Sequence, residues 1–125
     1  MQRDMDVVRD LLLLIEKQTP SEAQGVFQPD EYSRDVLDNH MMLMMDRGLV
    51  EAKDWADMQG HNWAMVRLLW DGHDFLDTIR DPEIWRKTKK GVQQAGGFSL
   101  DLLKALAKGL VKKKIEEHTG VDLDL

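Results

Sequence analysis

The stretch Ser33–Trp70, SRDVLDNHMMLMMDRGLVEAKDWADMQGHNWAMVRLLW, decides the fold. Ser33 offers a side-chain oxygen to a helix start. Leu37, His40, Met41 and Met44 follow at steps of three and four, which places one apolar stripe on a helix running to about Arg47. Gly48 supplies a left-handed stop, and Leu49-Val50 opens a strand. Two runs, Leu49–Trp55 and Trp63–Trp70, flank Met58-Gln-Gly-His-Asn62, where Gly60 and Asn62 bring turn chemistry. The pattern predicts a helix followed by a β-hairpin with a mobile tip.

On the N-terminal side, Asp4–Lys17 reads as a helix, with Met5, Val8, Leu12 and Ile15 in one stripe that Val7, Leu11 and Leu14 widen. Such an apolar helix is expected at the centre of the core, and Thr19-Pro20 ends it because residues before proline avoid helical angles. Gly25–Gln28, bounded by Pro29, predicts a brief edge strand or extended loop. Beyond the hairpin, Asp71 is expected to cap a third helix, with Asp74 at its third position and Phe75, Leu76 and Ile79 facing inward. Asp81-Pro82-Glu83 is a strong start for a fourth, carrying Ile84, Trp85, Thr88 and Val92 on one side and stopping at Gly96-Gly97. Ser99 caps a last helix to about His118, with Leu103, Leu106, Ala107 and Leu110 on one stripe and Lys104, Lys108 and Lys112 on another. Helix, short strand, helix, hairpin and helix is the winged-helix order with its first turn-helix shortened or missing. The predicted class is α+β, mostly helical. A winged helix-turn-helix-like core spans 1–81, and two C-terminal helices over 82–125 pack on that core or on a second protomer, all within one structural domain.

Composition agrees with a folded globule. The 125 residues suit one domain, and 42% are hydrophobic against 32% charged. No cysteine is present, so disulfides and thiolate metal sites are excluded, and a cytoplasmic location is expected. The longest apolar run, Leu11–Ile15, is far short of a membrane span and follows Asp4, Asp6 and Asp10 rather than a basic start. The net charge of −6 is unevenly spread. Residues 1–85 hold 8 basic and 18 acidic side chains, a net of −10; residues 86–114 hold 9 basic and 1 acidic, a net of +8; residues 115–125 carry −4. Overall acidity disfavours nonspecific nucleic-acid binding, while the basic block leaves it open.

Three pieces resemble a family of uncharacterised bacterial and phage proteins, a domain of unknown function often found in prophages. They are Arg3-Asp-Met-Asp6; Tyr32-Ser33 through His40 to Gly48-Leu49; and Trp70-Asp-Gly-His-Asp-Phe-Leu-Asp77 with Ile79-Arg-Asp81 and Trp85. The resemblance covers nearly the whole chain, and the third piece is the most specific. Leu69 departs from the pattern, standing where such proteins usually have a capping threonine. Val36 replaces an acid at the capping-box position, so the Ser33 cap lacks its reciprocal bond. The resemblance implies a winged-helix-like core and a phage or prophage setting.

In a winged helix the helix before the hairpin enters the major groove. Outside the apolar stripe that helix carries Arg34, Asp35, Asp38, Asn39, Met42 and Asp46, of which only Arg34 and Asn39 suit base edges. The carboxylates repel phosphates, and the wing adds Glu51, Asp54 and Asp57 against Lys53 and Arg67. Met42 and Met45 are expected to be partly exposed, and adaptable methionines favour protein-binding surfaces. The hairpin spacing brings at least one of Trp55, Trp63 and Trp70 to the surface. A protein interface is therefore expected at Arg34, Asp35, Asp38, Asn39, Met42, Met45, Trp55 and Trp63. Arg86, Lys87, Lys89, Lys90, Lys104, Lys108, Lys112 and Lys113, with Lys114, form the basic surface. It reads either as a solvated face that pairs with the acidic core, within the molecule or across a dimer, or as a phosphate patch. The interleaved aromatics of single-strand binders are lacking.

His40 lies on an apolar stripe and is expected to be a hydrogen-bonded core residue. His61 or His73 beside Asp71, Asp74 and Asp77 matches no metal-ligand framework, so no metal is expected. Gly96-Gly97 lacks the strand and lysine of a phosphate loop, and no nucleophile or oxyanion signal is present, so neither cofactor nor catalytic residue is expected. The sequence thus points to a non-enzymatic protein-interaction module that binds protein partners and associates with itself, with no membrane contact and no small-molecule substrate. The resemblance extends this to a phage accessory protein modulating a host nucleic-acid or defence complex. The second reading is a dimeric DNA-binding transcriptional regulator gripping phosphates with Arg34, Asn39 and the Lys-rich helix.

Overall fold

The computed structural model describes residues 1–97 and 99–123. Its elements are α1 (Met5–Lys17), a 3-10 turn at Glu22–Gln24, α2 (Arg34–Asp46), β1 (Val50–Asp54), β2 (Trp63–Leu68), α3 (Trp70–Ile79), α4 (Pro82–Gln94) and α5 (Leu100–Thr119). The fold is α+β and mostly helical, in the helix, strand, helix, hairpin, helix order expected. By internal contacts the chain forms two units, Met1–Leu76 and Asp77–Leu125, with the boundary inside α3.

In the first unit, Asp4 caps α1 by accepting from the Asp6 N–H at 2.9 Å. Met5, Val8, Leu11, Leu12 and Ile15 are buried. Leu11, Leu12, Met41 and Leu76 are each 0% exposed, so each contributes roughly 1.5–3 kcal/mol of apolar burial. Ser33 caps α2 by accepting from Val36 N at 3.3 Å, and Leu37, His40, Met41 and Met44 are its buried residues. His40 joins the two helices. Its Nε2 accepts the Asp4 N–H at 2.9 Å, so Nδ1 is the nitrogen that donates to the Val36 carbonyl at 2.7 Å.

β1 and β2 form an antiparallel pair, and a single bridge, Val26↔Ala64, adds a short third segment beside β2. Phe27 N donates to Trp63 O there at 2.7 Å. This is the brief edge strand expected at Gly25–Gln28. The register passes from Glu51↔Arg67 to Lys53↔Ala64, so Ala52 alone faces Met65 and Val66. Met65 takes the extra position in the left-handed region, with φ 54°, where a side chain is strained.

The entry to α3 differs from expectation. β2 stops at Leu68, and Trp70, read as the end of a strand, is the first residue of the helix. Asp71 therefore lies within the first turn instead of capping it. Leu69 N donates to Leu49 O at 2.9 Å, holding the helix start on the turn after α2. At Gly72 a Cβ would meet Leu49 O at 2.0 Å, so only glycine permits this approach.

The second unit packs α4 against α5, and Gly91 meets the Leu106 side chain. Asp81 caps α4 by accepting from Glu83 N and Ile84 N, with Pro82 in the first turn. Ile84, Trp85, Thr88 and Val92 are buried on α4, and Leu100, Leu103 and Ala107 on α5. Ser99 caps α5, and Gly120, in the left-handed region, closes it. No helix among the described residues is long and apolar enough to cross a membrane.

Candidate functional site

The outer side of α2 and the hairpin make the chemically richest surface of the first unit. Asp35 and Asp46 are exposed on α2, and Met42 is 50% exposed between them. Arg34 and Asp38 are half-buried and already engaged by the hairpin. Arg34 Nη1 donates to Gln59 O at 2.8 Å, and Asp38 Oδ1 accepts the Trp63 indole N–H at 2.8 Å. Asn39 is half-buried, and its Nδ2 has no hydrogen-bond partner. Met45 is half-buried.

The tip, expected to be mobile, is laced by hydrogen bonds. Asp57 accepts from Gln59 N at 2.8 Å and from Asn62 Nδ2 at 3.1 Å. Asp54 accepts from Asn62 N at 3.1 Å and pairs with His61 Nδ1 at 2.5 Å. The His61 ring stacks on Trp63 with centroids 4.9 Å apart. The hydrogen bond to Asp54 raises the His61 pKa above its ordinary value, and the same bond lowers that of Asp54. Asp57 is lowered chiefly by the Gln59 N–H. Nearby, Tyr32 donates to Asp10 at 2.5 Å, and burial followed by that bond raises its pKa. Phe27, Leu37, Asp38 and Trp63 line a cavity of about 20 Å³, the size of a water site.

Trp63 was expected at a protein interface, and the structure buries it at 4% exposure. The bulge explains the correction. Direct partners share a face, so pairing with Asp54 puts Trp63 on the face of Val50 and Leu68, whereas plain alternation along β2 would turn it outward. Trp55 is 51% exposed. Met58 is fully exposed and Trp70 is 81% exposed; neither was among the expected interface residues. Met58 was concealed in a polar turn, while Trp70 is one of the three tryptophans of which at least one was expected at the surface. Among the described residues, no group of three or more His, Asp or Glu is placed to hold a metal ion.

In the second unit the basic residues divide in two. Lys114 pairs with Asp81 at 2.7 Å, Lys87 with Glu83 at 3.5 Å and Lys112 with Glu116 at 3.9 Å, all within that unit. The Lys114 bond lowers the Asp81 pKa, and the Lys114 pKa is raised in return. Lys89 lies 5.7 Å from the centre of the Trp85 ring. A cleft of about 240 Å³ between α4 and α5 sets Lys113 and Lys114 near Glu117, Glu83 and Asp81. Arg86, Lys90 and Lys108 are exposed and Lys104 half-buried. The first group is largely neutralised where it stands, and for the second no ion pair is found among the described residues.

A family model described as "Hypothetical protein (DUF2513)" matches residues 2–99. An uncharacterized protein of Haemophilus influenzae is 30% identical over 119 residues, covering 92% of this chain and 99% of that protein. No solved structure matches the chain.

Proposed function

The chain belongs to the DUF2513 family of hypothetical proteins, and we propose that it works as a non-enzymatic protein-interaction module of winged-helix type in the cytoplasm. One observation carries this reading. Four large apolar side chains, Trp70, Met58, Trp55 and Met42, are at least half exposed on a unit that is strongly acidic. Exposed aromatic and methionine side chains are the usual anchors of protein interfaces. The winged-helix term rests on element order, with α2 in the place of the recognition helix and β1–β2 as wing. In this reading the wing binds its own α2 through Arg34 and Asp38. The face that would otherwise read bases then offers carboxylates to its partner. A phage or prophage accessory role, modulating a host nucleic-acid or defence complex, follows from the sequence resemblance.

The second reading is a dimeric DNA-binding regulator. It is favoured by Arg86, Lys90, Lys104 and Lys108, for which no ion pair is found among the described residues. Its weakness is that Asp35, Asp38 and Asp46 would approach phosphates on the helix meant to enter the groove.

Copurification of the tagged full chain from its native host separates the two. Wild type should retain a protein that Trp55→Glu and Trp70→Glu lose. Equal capture by all three, with a duplex retarded at low salt and released by Lys104→Glu with Lys108→Glu, would reverse the ranking.

A further inference from the structure

The outermost stripe of α2 reads Asp35, Met42, Asp46, and all three are exposed. On α5, Lys104, Lys108 and Ile115 lie on one stripe by helical spacing, clear of the buried Leu103 and Ala107. Lys108 and Ile115 are exposed there, and Ile115 is 39% so. Asp35 to Asp46 and Lys104 to Ile115 are each eleven residues apart, so both stripes run for about 16 Å. One stripe carries two carboxylates around an apolar residue, and the other carries two ammonium groups and an apolar residue. No ion pair of these four charged groups is found among the described residues. The units differ in the same sense. Residues 1–76 hold 7 basic and 15 acidic side chains, a net of −8, and residues 77–125 hold 10 basic and 8 acidic, a net of +2.

We propose that the α5 stripe of one copy docks on the α2 stripe of a second copy, making the chain its own partner. This rests on the interaction-module reading and specifies one interface within it. Met42 and Ile115 add exposed apolar surface to the two stripes, and the opposite charges select the partner, since exposed ion pairs contribute little singly. Lys112 takes no part because Glu116 already holds it.

Charge exchange in the full chain tests the interface. Sedimentation velocity should show concentration-dependent association of wild type, weakened by raising salt from about 50 mM to about 500 mM. Lys104→Glu with Lys108→Glu, and separately Asp35→Lys with Asp46→Lys, should each weaken it at least tenfold. Circular dichroism melting should show both variants folded. Mixing the two variants should restore association, because each still carries the stripe the other lacks. A wild-type monomer at about 1 mM chain would overturn the proposal. So would association indifferent to either variant, or a mixture that stays apart. A monomer that still captures a host protein through Trp55 or Trp70 would sink this interface alone and leave the interaction-module reading standing.

Discussion

His61 sits between a carboxylate and an indole, and its protonation bears on how tightly the hairpin tip is tied. The Asp54 hydrogen bond raises the His61 pKa, so the stabilisation from His61 is full below its unfolded value of about 6.5 and is lost as pH rises through the folded value. Asp54 runs the other way: its lowered pKa gives a contribution present above the unfolded value and lost as pH falls through the folded one. The pair's contribution is therefore full between the unfolded values of Asp54 and His61 and declines on either side of that window. Asp54→Asn should bring the His61 pKa down toward 6.5 in an NMR titration of the ring proton, and an unmoved midpoint would refute the link. At this scale the sequence was legible where one periodicity ruled. His40 fell on the α2 stripe and is buried with both ring nitrogens bonded. Trp63 was not legible, because one extra residue at Met65 inverts the alternation that assigns its face, and β-branching or glycine did not mark the bulge. The hairpin network was hidden for another reason: Asp54 and Asp57 read as surface charges, Asn62 as a turn residue and His61 as a discarded metal ligand until the hairpin brings them together.

Helix starts were the most readable elements. Ser33, Asp81 and Ser99 each accept the backbone N–H bonds that their chemistry announces, and Asp4, expected as the first residue of α1, is its cap. The start of α3 was misread because tertiary contact sets it. Leu69 N–H is spent on Leu49 O and the helix begins at Trp70 without a side-chain cap being needed in advance. The same contact explains the glycine in Trp70-Asp-Gly-His-Asp: α3 lies so close to the α2–β1 turn that a methyl at position 72 would overlap the Leu49 carbonyl. Gly72→Ala should therefore cost about 2–3 kcal/mol or more, because backbone and not a flexible side chain must yield. Chemical denaturation of the full chain checks this. An unchanged midpoint would mean that α3 is free to shift away from the turn, and the account of its placement would fail.

At the scale of the molecule, charge is the property that organises the reading. The acidic excess lies in Met1–Leu76, which also exposes Trp55, Met58 and Trp70, while Lys90, Lys104 and Lys108, for which no ion pair is found among the described residues, lie in Asp77–Leu125. Counting charges along the sequence exposed this division, since it needs no folding. What counting could not reveal is that Lys87, Lys112 and Lys114 answer acids of their own unit, which leaves Lys104, Lys108 and Lys113 as the lysines of α5 for which no ion pair is found among the described residues. Nor could it show that Arg34, one of two residues suited to a base edge, is already tied to Gln59. Like charges repel, and a helix such as α2 lined by aspartates should meet a protein before it meets a phosphate backbone. Photocrosslinking from position 55, with benzoylphenylalanine in place of Trp55 in the native host, tests that claim most directly. The account predicts an adduct destroyed by protease and untouched by nuclease; an adduct removed by nuclease would contradict it.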